Sequence, residues 1–484
     1  MHMSTGNGTQ SSASWTPLLL VICLTTTLGN TVPLGYFLGV LNAPADLIKN
    51  WCQDLLANEY DTPLSGSQLD VLWACIVSIF LLGGICGSCF SAWCSDKYGR
   101  RGTLVISSIL FILASILFLF CRDTRSLEML LSARFLGGIA SAFVLTVHPM
   151  YLLELAPIAL AGTVGVFTCI GITGGILVAQ IVTLPQLLGT EEFWHYALSF
   201  YALLVFVCLI PMWWFPESPR WLCVVRQETF AAEDALRRLR GEKGLWSVPR
   251  EMHEMEVTEV RKGTWCSVLR DRNLWLPVLL VASYQASLQL CGINAIFYYS
   301  MSLFTDAGFS ADMAVWLNLG LGGFNVLASL LCTLLVFHFP RRPLMLISCS
   351  GCALTLLAMS FGLYYMDTVQ WLSYACIAFM LMFILAFQMG LGPITYFMGS
   401  ELFEVSPRPV AMSIGSLFSW IGNFLIGMCF PLLQSVWSSF AFLPCMCVCI
   451  YCVLLTWRYL PETRGRTASD VKHLMNQGLR SRIN

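Results

Sequence analysis

Charge is what this chain has least of. Only 11% of its 484 residues are Asp, Glu, Lys or Arg, where soluble domains average roughly 25%. With 57% hydrophobic residues and a mean hydropathy of +0.71, too little polar surface remains for a water-soluble fold. The solvent for most of the chain is lipid. A net charge of −1 implies no nucleic-acid or acidic-surface partner. Metal-ligand spacing is missing too. The 21 cysteines are scattered through apolar runs, and Cys447, Cys449 and Cys452 stand in no ligand pattern with a nearby His. They read as small buried hydrophobes, so neither a metal nor a cofactor is expected. The segments assigned below to the outside offer only Cys52, so no disulfide framework is expected. The loops hold no nucleophile–base pairing, which points away from an enzyme. The first fifteen residues lack a basic leader and read as a disordered tail, not a signal peptide. Asn7-Gly8-Thr9 is the only glycosylation-type sequon, and it falls on the side assigned to the cytoplasm.

Long apolar runs are what the chain does have. A hydrocarbon core of about 30 Å needs roughly 20 helical residues. Twelve stretches qualify, at approximately 16–40, 70–93, 103–121, 128–153, 161–185, 194–215, 273–303, 312–337, 344–366, 370–398, 410–433 and 438–460. Strands are excluded, because an open sheet in lipid leaves its backbone unsatisfied. Placing both termini in the cytoplasm puts about 23 of the 27 basic residues there and leaves Lys49, Arg122 and Arg125 outside. The loop 216–272 alone carries 11 of them, and its pieces "FAAEDALRRLRG" and "PREMHEMEVTEV" read as short amphipathic helices.

The chain also echoes itself. "DKYGRR" (96–101) returns as "FPRR" (339–342), "ELAP" (154–157) as "ELFEVSPRP" (401–409), and "PESPR" (216–220) as "PETRGR" (461–466), at separations of about 241–247 residues. A parallel repeat of six spans is the architecture of a rocking transporter with its site between the halves. The expected fold is therefore an all-α membrane protein of twelve transmembrane helices. Its parts are a tail (1–15), a first six-helix half (16–215), a cytoplasmic helical loop (216–272), a second half (273–460) and a cytoplasmic tail (461–484).

Polar side chains inside such spans mark a wet cavity or a helix contact, because an unsatisfied polar group in hydrocarbon costs several kcal/mol. "QLCGINAIFYYS" (289–300) is the richest such stretch. Gln285 and Gln289 are four residues apart and share a face; Asn294 and Tyr298 form a second such pair. Gly292 between them can break the helix and turn both pairs toward one cavity. An amide both donates and accepts, as does a sugar hydroxyl, so amides match a sugar without imposing charge. The alternative is that they hydrogen-bond between helices and hold the bundle together.

Taken together, "GYFLGVLNAP" (35–44), "SDKYGRR" (95–101), "ARFLGG" (133–138), "PMYLLELAP" (149–157), "PESPRWL" (216–222), "QLCGINAIFYYS", "GLGPITYFMGSELF" (390–403) and "PETRGRT" (461–467) resemble the sugar porters of the major facilitator superfamily. The likeness is to the facilitative glucose and fructose transporter group and covers roughly residues 17–470. It implies alternating access. It also implies that Gln289, Asn294 and Asn325 hydrogen-bond the sugar, with Gln285, Gln180, Gln388, Tyr396 and Trp420 lining the cavity. Tyr298 and Tyr299 match the outer gate, and Gly390, Gly392 and Pro393 the hinge of span ten. Asp96, Arg100, Arg101, Glu154, Glu217, Arg220, Arg341, Arg342, Glu401 and Arg408 match a cytoplasmic charge network that closes the inner side.

The chain departs from the family's pattern at several of these places. Ala161 stands for an Arg after "ELAP", and Phe337 and His338, with Pro340, stand before the second "RR". In the site, Cys169 stands for a glutamine, Leu288 for the first glutamine of a triplet, Gln388 for a glutamate, Tyr396 for a tryptophan and Ser419 for an asparagine. Proton-coupled sugar porters carry an Asp near Arg134 where this chain has Phe37, and no other buried Asp or Lys stands in the spans. His148 reads as a packed core histidine. The expectation is a hexose uniporter, multi-pass in the plasma membrane. Two alternatives stay open: the same fold carrying an organic anion such as urate, with Arg134 as its partner, and a non-transporting sugar sensor, which the short C-terminal tail disfavours.

Overall fold

The computed structural model describes residues 15–59, 66–256, 263–306, 308–366, 368–369 and 371–475. The tail segment 1–14, with its sequon, and residues 476–484 lie outside them. Among the described residues the secondary structure is helical throughout, with no strand. Eleven helical segments are long and apolar enough to cross a membrane. One of them, Gln68–Cys121, runs 54 residues, which at 1.5 Å per residue is about 80 Å and more than two bilayer cores. It breaks at Gly99, whose φ of 83° is open to glycine and costly for other residues. Its arms are two spans, which makes twelve.

In chain order the spans are α1 (Pro17–Gly39), α2 (68–98), α3 (100–121), α4 (Leu127–Leu155), α5 (Ala161–Val182) and α6 (Trp194–Met212). There follow α7 (Trp275–Leu290, continued by Ile293–Asp306), α8 (Ala311–His338), α9 (Arg341–Tyr365), α10 (Leu372–Met389, continued by Leu391–Leu402), α11 (Arg408–Trp437) and α12 (Leu443–Tyr459). Between α6 and α7 the loop folds as Pro219–Val224, Thr229–Gly244, Val248–Glu256 and Trp265–Arg270. Three of these helices share a small core of Cys223, Ala232, Leu236, Val248, Met252 and Met255. One more helix, Ala45–Glu59, follows α1.

Several irregularities in the spans have a visible cause. In α1, Thr27–Thr31 is a π-turn. Asn30 there donates to Leu104 O (3.2 Å) and Ser108 Oγ (2.9 Å), tying α1 to α3. The break in α10 at Gly390 frees backbone groups inside the membrane. Ser348 of α9 meets them, accepting from Leu391 N at 2.8 Å and donating to Ala386 O at 2.7 Å. A neighbouring hydroxyl is the usual way such a break is satisfied in lipid. His148 is fully buried, with Nε2 on Thr26 Oγ1 (3.2 Å) and Nδ1 on Thr168 Oγ1 (2.9 Å), and so joins α1, α4 and α5.

Candidate functional site

Polar side chains from α5, α7, α8, α10 and α11 form two hydrogen-bonded groups, one within the second half and one crossing between the halves. α7 breaks at Gly292, at φ 91°. The break lets Asn294 Nδ2, on the second arm, donate both to Gln289 Oε1 on the first (3.0 Å) and to Asn423 Oδ1 of α11 (3.1 Å). Gln289 Nε2 donates to Ser419 Oγ at 3.2 Å. A second group crosses between the halves. Gln388 Nε2 of α10 donates to Asn325 Oδ1 of α8 at 2.6 Å, and Gln388 Oε1 accepts the Cys169 thiol of α5 at 3.3 Å. One turn along, Thr173 and Ser329 hydroxyls meet at 3.1 Å.

Three polar atoms here are buried and unpartnered: Gln285 Oε1, Gln180 Oε1 and Trp420 Nε1. Gln285 spends its Nε2 on Thr395 O (3.2 Å), which leaves its carbonyl oxygen free. Trp420 lies over Gly84 of α2 and edge-on to Phe80, with ring centroids 5.3 Å apart. Tyr396 of α10 is buried. The structure thus joins Gln289 and Asn294 in one hydrogen-bonded group and Asn325 and Gln388 in another, leaves Gln285, Gln180 and Trp420 each with an unpartnered atom, and sets Gln180 against Gly322 of α8. Orphaned polar atoms in a hydrocarbon setting are costly, and a ligand bearing both donors and acceptors relieves that cost. The side chains of Tyr298 and Tyr299 lie outside what the structure describes. Gly390 is the break in α10, with Gly392 and Pro393 in the first turn beyond it.

Arg134 is not free to meet a ligand. It is buried, donates to Phe37 O (3.0 Å) and Ile76 O (3.4 Å), and its guanidinium lies 4.5 Å from the Phe80 ring centroid.

Charged residues assemble at the other end of the spans. Glu154 is fully buried between two arginines, Arg100 Nε at 3.0 Å and Arg408 Nη1 at 2.9 Å, and it accepts Ser218 Oγ at 2.5 Å. Asp96 flanks Arg100 at 3.5 Å. Glu217 accepts the backbone N–H of Arg100 and of Arg101, both at 2.9 Å, so a carboxylate caps the start of α3. Burial pushes the Glu217 pKa up, while the N–H bonds from Arg101 and Ser218 pull the other way. The second half repeats the design. Glu462 accepts the N–H of Arg341 (2.9 Å) and Arg342 (3.1 Å), Thr463 donates to Glu401, and Arg341 Nη2 is 3.4 Å from Glu401. Arg101 and Arg342 each reach backbone carbonyls, those of Phe215 (2.6 Å) and Trp457 (2.8 Å). Arg220 stands half-buried beside the group. Phe337 and His338 offer their carbonyls to Arg464.

Sequence reasoning missed Asn423, Ser218, Glu462 and Thr463. The offset that relates Glu217 to "PETRGR" points straight at Glu462. Asn423 lies one turn beyond Ser419, on the same face of α11.

Known proteins share both the sequence and the fold. Facilitated glucose transporter member 3 of Ovis aries is 34% identical over 458 residues, 94% of this chain and 92% of its own. Member 1 of Gallus gallus is 33% identical, covering 97% and 96%. The proton:xylose symporter XylE, solved with 6-bromo-6-deoxy-D-glucose, superposes with a TM-score of 0.81 at 24% identity, over 95% of this chain and 99% of that one. That likeness shows the major facilitator fold, and the Sugar (and other) transporter family matches residues 22–474. On these grounds the protein belongs to the Sugar (and other) transporter family and has the major facilitator fold.

Proposed function

We propose that the protein is a facilitative carrier of a hexose such as glucose or fructose, working by alternating access. The observation that carries this reading is the neutral amide and hydroxyl cluster between the halves, with Gln285 Oε1, Gln180 Oε1 and Trp420 Nε1 unpartnered. A sugar ring supplies hydroxyls for those atoms and an apolar face for Trp420. Relatives named as facilitated glucose transporters, members 1, 3 and 5, support the same cargo.

Uniport follows from which charges are buried. Among the described residues the buried charged side chains are Arg100, Arg134, Glu154, Arg240, Arg341 and Arg408. Arg100, Glu154, Arg341 and Arg408 belong to the network at one end and Arg240 to the loop bundle, so among the described residues the amide cluster holds no buried carboxylate to carry a proton. The tight backbone and aromatic holding of Arg134 speaks against an organic anion as cargo. We take the arginine-rich face as cytoplasmic by the positive-inside bias, the membrane as the plasma membrane, and the amide cluster as the binding site. The halves are residues 16–215 and 273–460.

The test is uptake of radiolabelled glucose, fructose, galactose and urate into proteoliposomes, with and without a pH gradient. Saturable hexose entry, unaffected by a protonophore, is expected. Concentrative uptake that collapses with a protonophore, or entry of urate alone, overturns the reading.

A further inference from the structure

The charge network is two-fold in design but not in execution. Glu154 is 247 residues before Glu401, and the same offset carries Arg408 back to Ala161. Arg408 crosses between the halves to reach Glu154 at 2.9 Å. The position that would return the gesture toward Glu401 carries only a methyl group. A pocket of about 560 Å³, its open mouth included, lies there, lined among others by Ala161, Arg220, Arg341, Glu401, Arg408 and Arg466.

Four guanidinium groups thus border a space with one lining carboxylate. That carboxylate is already engaged, by Arg341 Nη2 at 3.4 Å and by the Thr463 hydroxyl. Arg341 is more than nine-tenths buried, yet its Nε has no hydrogen-bond partner. Arg220 and Arg408 line the same space. Arg466 is exposed at the mouth. The partnerless Arg341 Nε, with Arg220 and Arg466 bordering the same partly enclosed space, fits an anion with several acceptor oxygens, and planar guanidinium groups suit the geometry of phosphate.

We propose that this pocket binds an oxyanion of the phosphate class, either free or as the headgroup of a membrane lipid. The lining comes from both halves: Ala161 and Arg220 from the first half and its loop, and Arg341, Glu401, Arg408 and Arg466 from the second. The site is therefore complete only while Arg408 and Glu154 are joined. An anion bound there favours the state closed on this face and slows its opening, since a ligand stabilises the conformation that holds its site.

The experiment uses the full chain and does not depend on knowing its cargo. In one arm, detergent-purified protein is titrated with inorganic phosphate at constant ionic strength, with chloride as control, and thermal unfolding is followed. In the other, unfolding is compared in phosphatidylcholine vesicles with and without phosphatidylinositol phosphate. A saturable rise in Tm is expected in at least one arm; phosphate alone acting identifies a free ion, and the lipid alone acting identifies a headgroup. Arg466→Gln, at an exposed site, is expected to weaken the apparent affinity roughly tenfold, the worth of one charge-assisted hydrogen bond. Ala161→Arg fills the space and is expected to abolish the response. No saturable shift beyond chloride in either arm, or an undiminished shift in both variants, overturns the proposal.

Discussion

Arg408 Nη1 lies 2.9 Å from Glu154 Oε1, a contact between residues 254 apart in sequence. It fastens α11 to α4 at the charged end of the bundle. Arg408 is also held by its own half, with Nε and Nη2 on Phe403 O at 3.1 and 2.9 Å. Under the proposed alternating access, opening on this face swings a preformed arginine away from a carboxylate that keeps Arg100 as its second partner. On that reading the residual pairing limits the cost of the open state and lets the contact serve as a reversible latch.

Removing the latch has a signed outcome. Arg408→Ala leaves Glu154 with Arg100 and Ser218, so the fold survives while the closed state loses its charged cross-link. Breaking a buried pair costs about 3–5 kcal/mol, and Arg100 absorbs part of that. Limited proteolysis of the loop 216–272 in proteoliposomes reads the change. Faster cleavage in Arg408→Ala is expected, and an unchanged rate means the pair is decoration.

Asn294 joins the two arms of α7 to α11, and its loss orphans Gln289 Oε1 and Asn423 Oδ1. Asn294→Ala is expected to weaken solute binding by about 1–1.5 kcal/mol, which is roughly five- to tenfold in KM. The amount of folded protein should stay unchanged by size-exclusion chromatography. A normal KM would make Asn294 a structural tie only.

The loop bundle has its own acid sensitivity. Burial of Glu251 works to raise its pKa, but the Arg240 guanidinium, at 2.7 Å, and the Ser247 hydroxyl outweigh it and hold the carboxyl below the usual range. A depressed folded-state pKa contributes stability that is present above the unfolded value, about 4.3. It is lost as pH falls through the folded value. Arg240 also donates to Leu155 O at 2.8 Å, so this pair fixes the loop to the end of α4. The protection factor for hydrogen exchange over Val248–Glu256, taken relative to the intrinsic exchange rate at each pH, should fall on acidification below that range. In Glu251→Gln it should be low already at neutral pH and nearly flat with pH.

How much of this was legible beforehand depends on the kind of signal. Apolar runs placed all twelve spans, because lipid imposes length and hydrophobicity on each one separately. The break at Gly292 was legible from a glycine set between polar residues. The helix Ala45–Glu59 was not, because its apolar positions, Ile48, Cys52 and Leu55, are too few to stand out beside membrane spans. The members of the charge network came from the family resemblance, yet Glu462 escaped, since a surface glutamate looks like any solvated charge until its partners are known. The coupling of Cys169 to Gln388 was not readable at all. It joins residues 219 apart, and no local pattern encodes such a meeting.

Trp420 offers the sharpest test of how the halves close. Its indole lies flat enough on α2 that a Cβ added at Gly84 falls 2.4 Å from the ring. Just along the same contact, Ser88 meets Ser416 at 2.8 Å and Ser91 meets Ser413 at 2.7 Å, so small residues let α2 and α11 approach. Gly84→Ala forces either the ring or the helix to move. If the ring swings toward the proposed solute site, it competes with solute, which raises KM while kcat holds. If α2 moves instead, the serine pairs part and the closed face loosens, which changes kcat and speeds proteolysis of the loop. The backbone is packed by α4 on its other side, with the Gly138 Cβ position 2.1 Å from Phe80 O. Ring displacement is therefore the expected result, seen as a rise in KM of roughly tenfold with the proteolysis rate unchanged. Wild-type kinetics in Gly84→Ala would show that Trp420 does not border the solute's path.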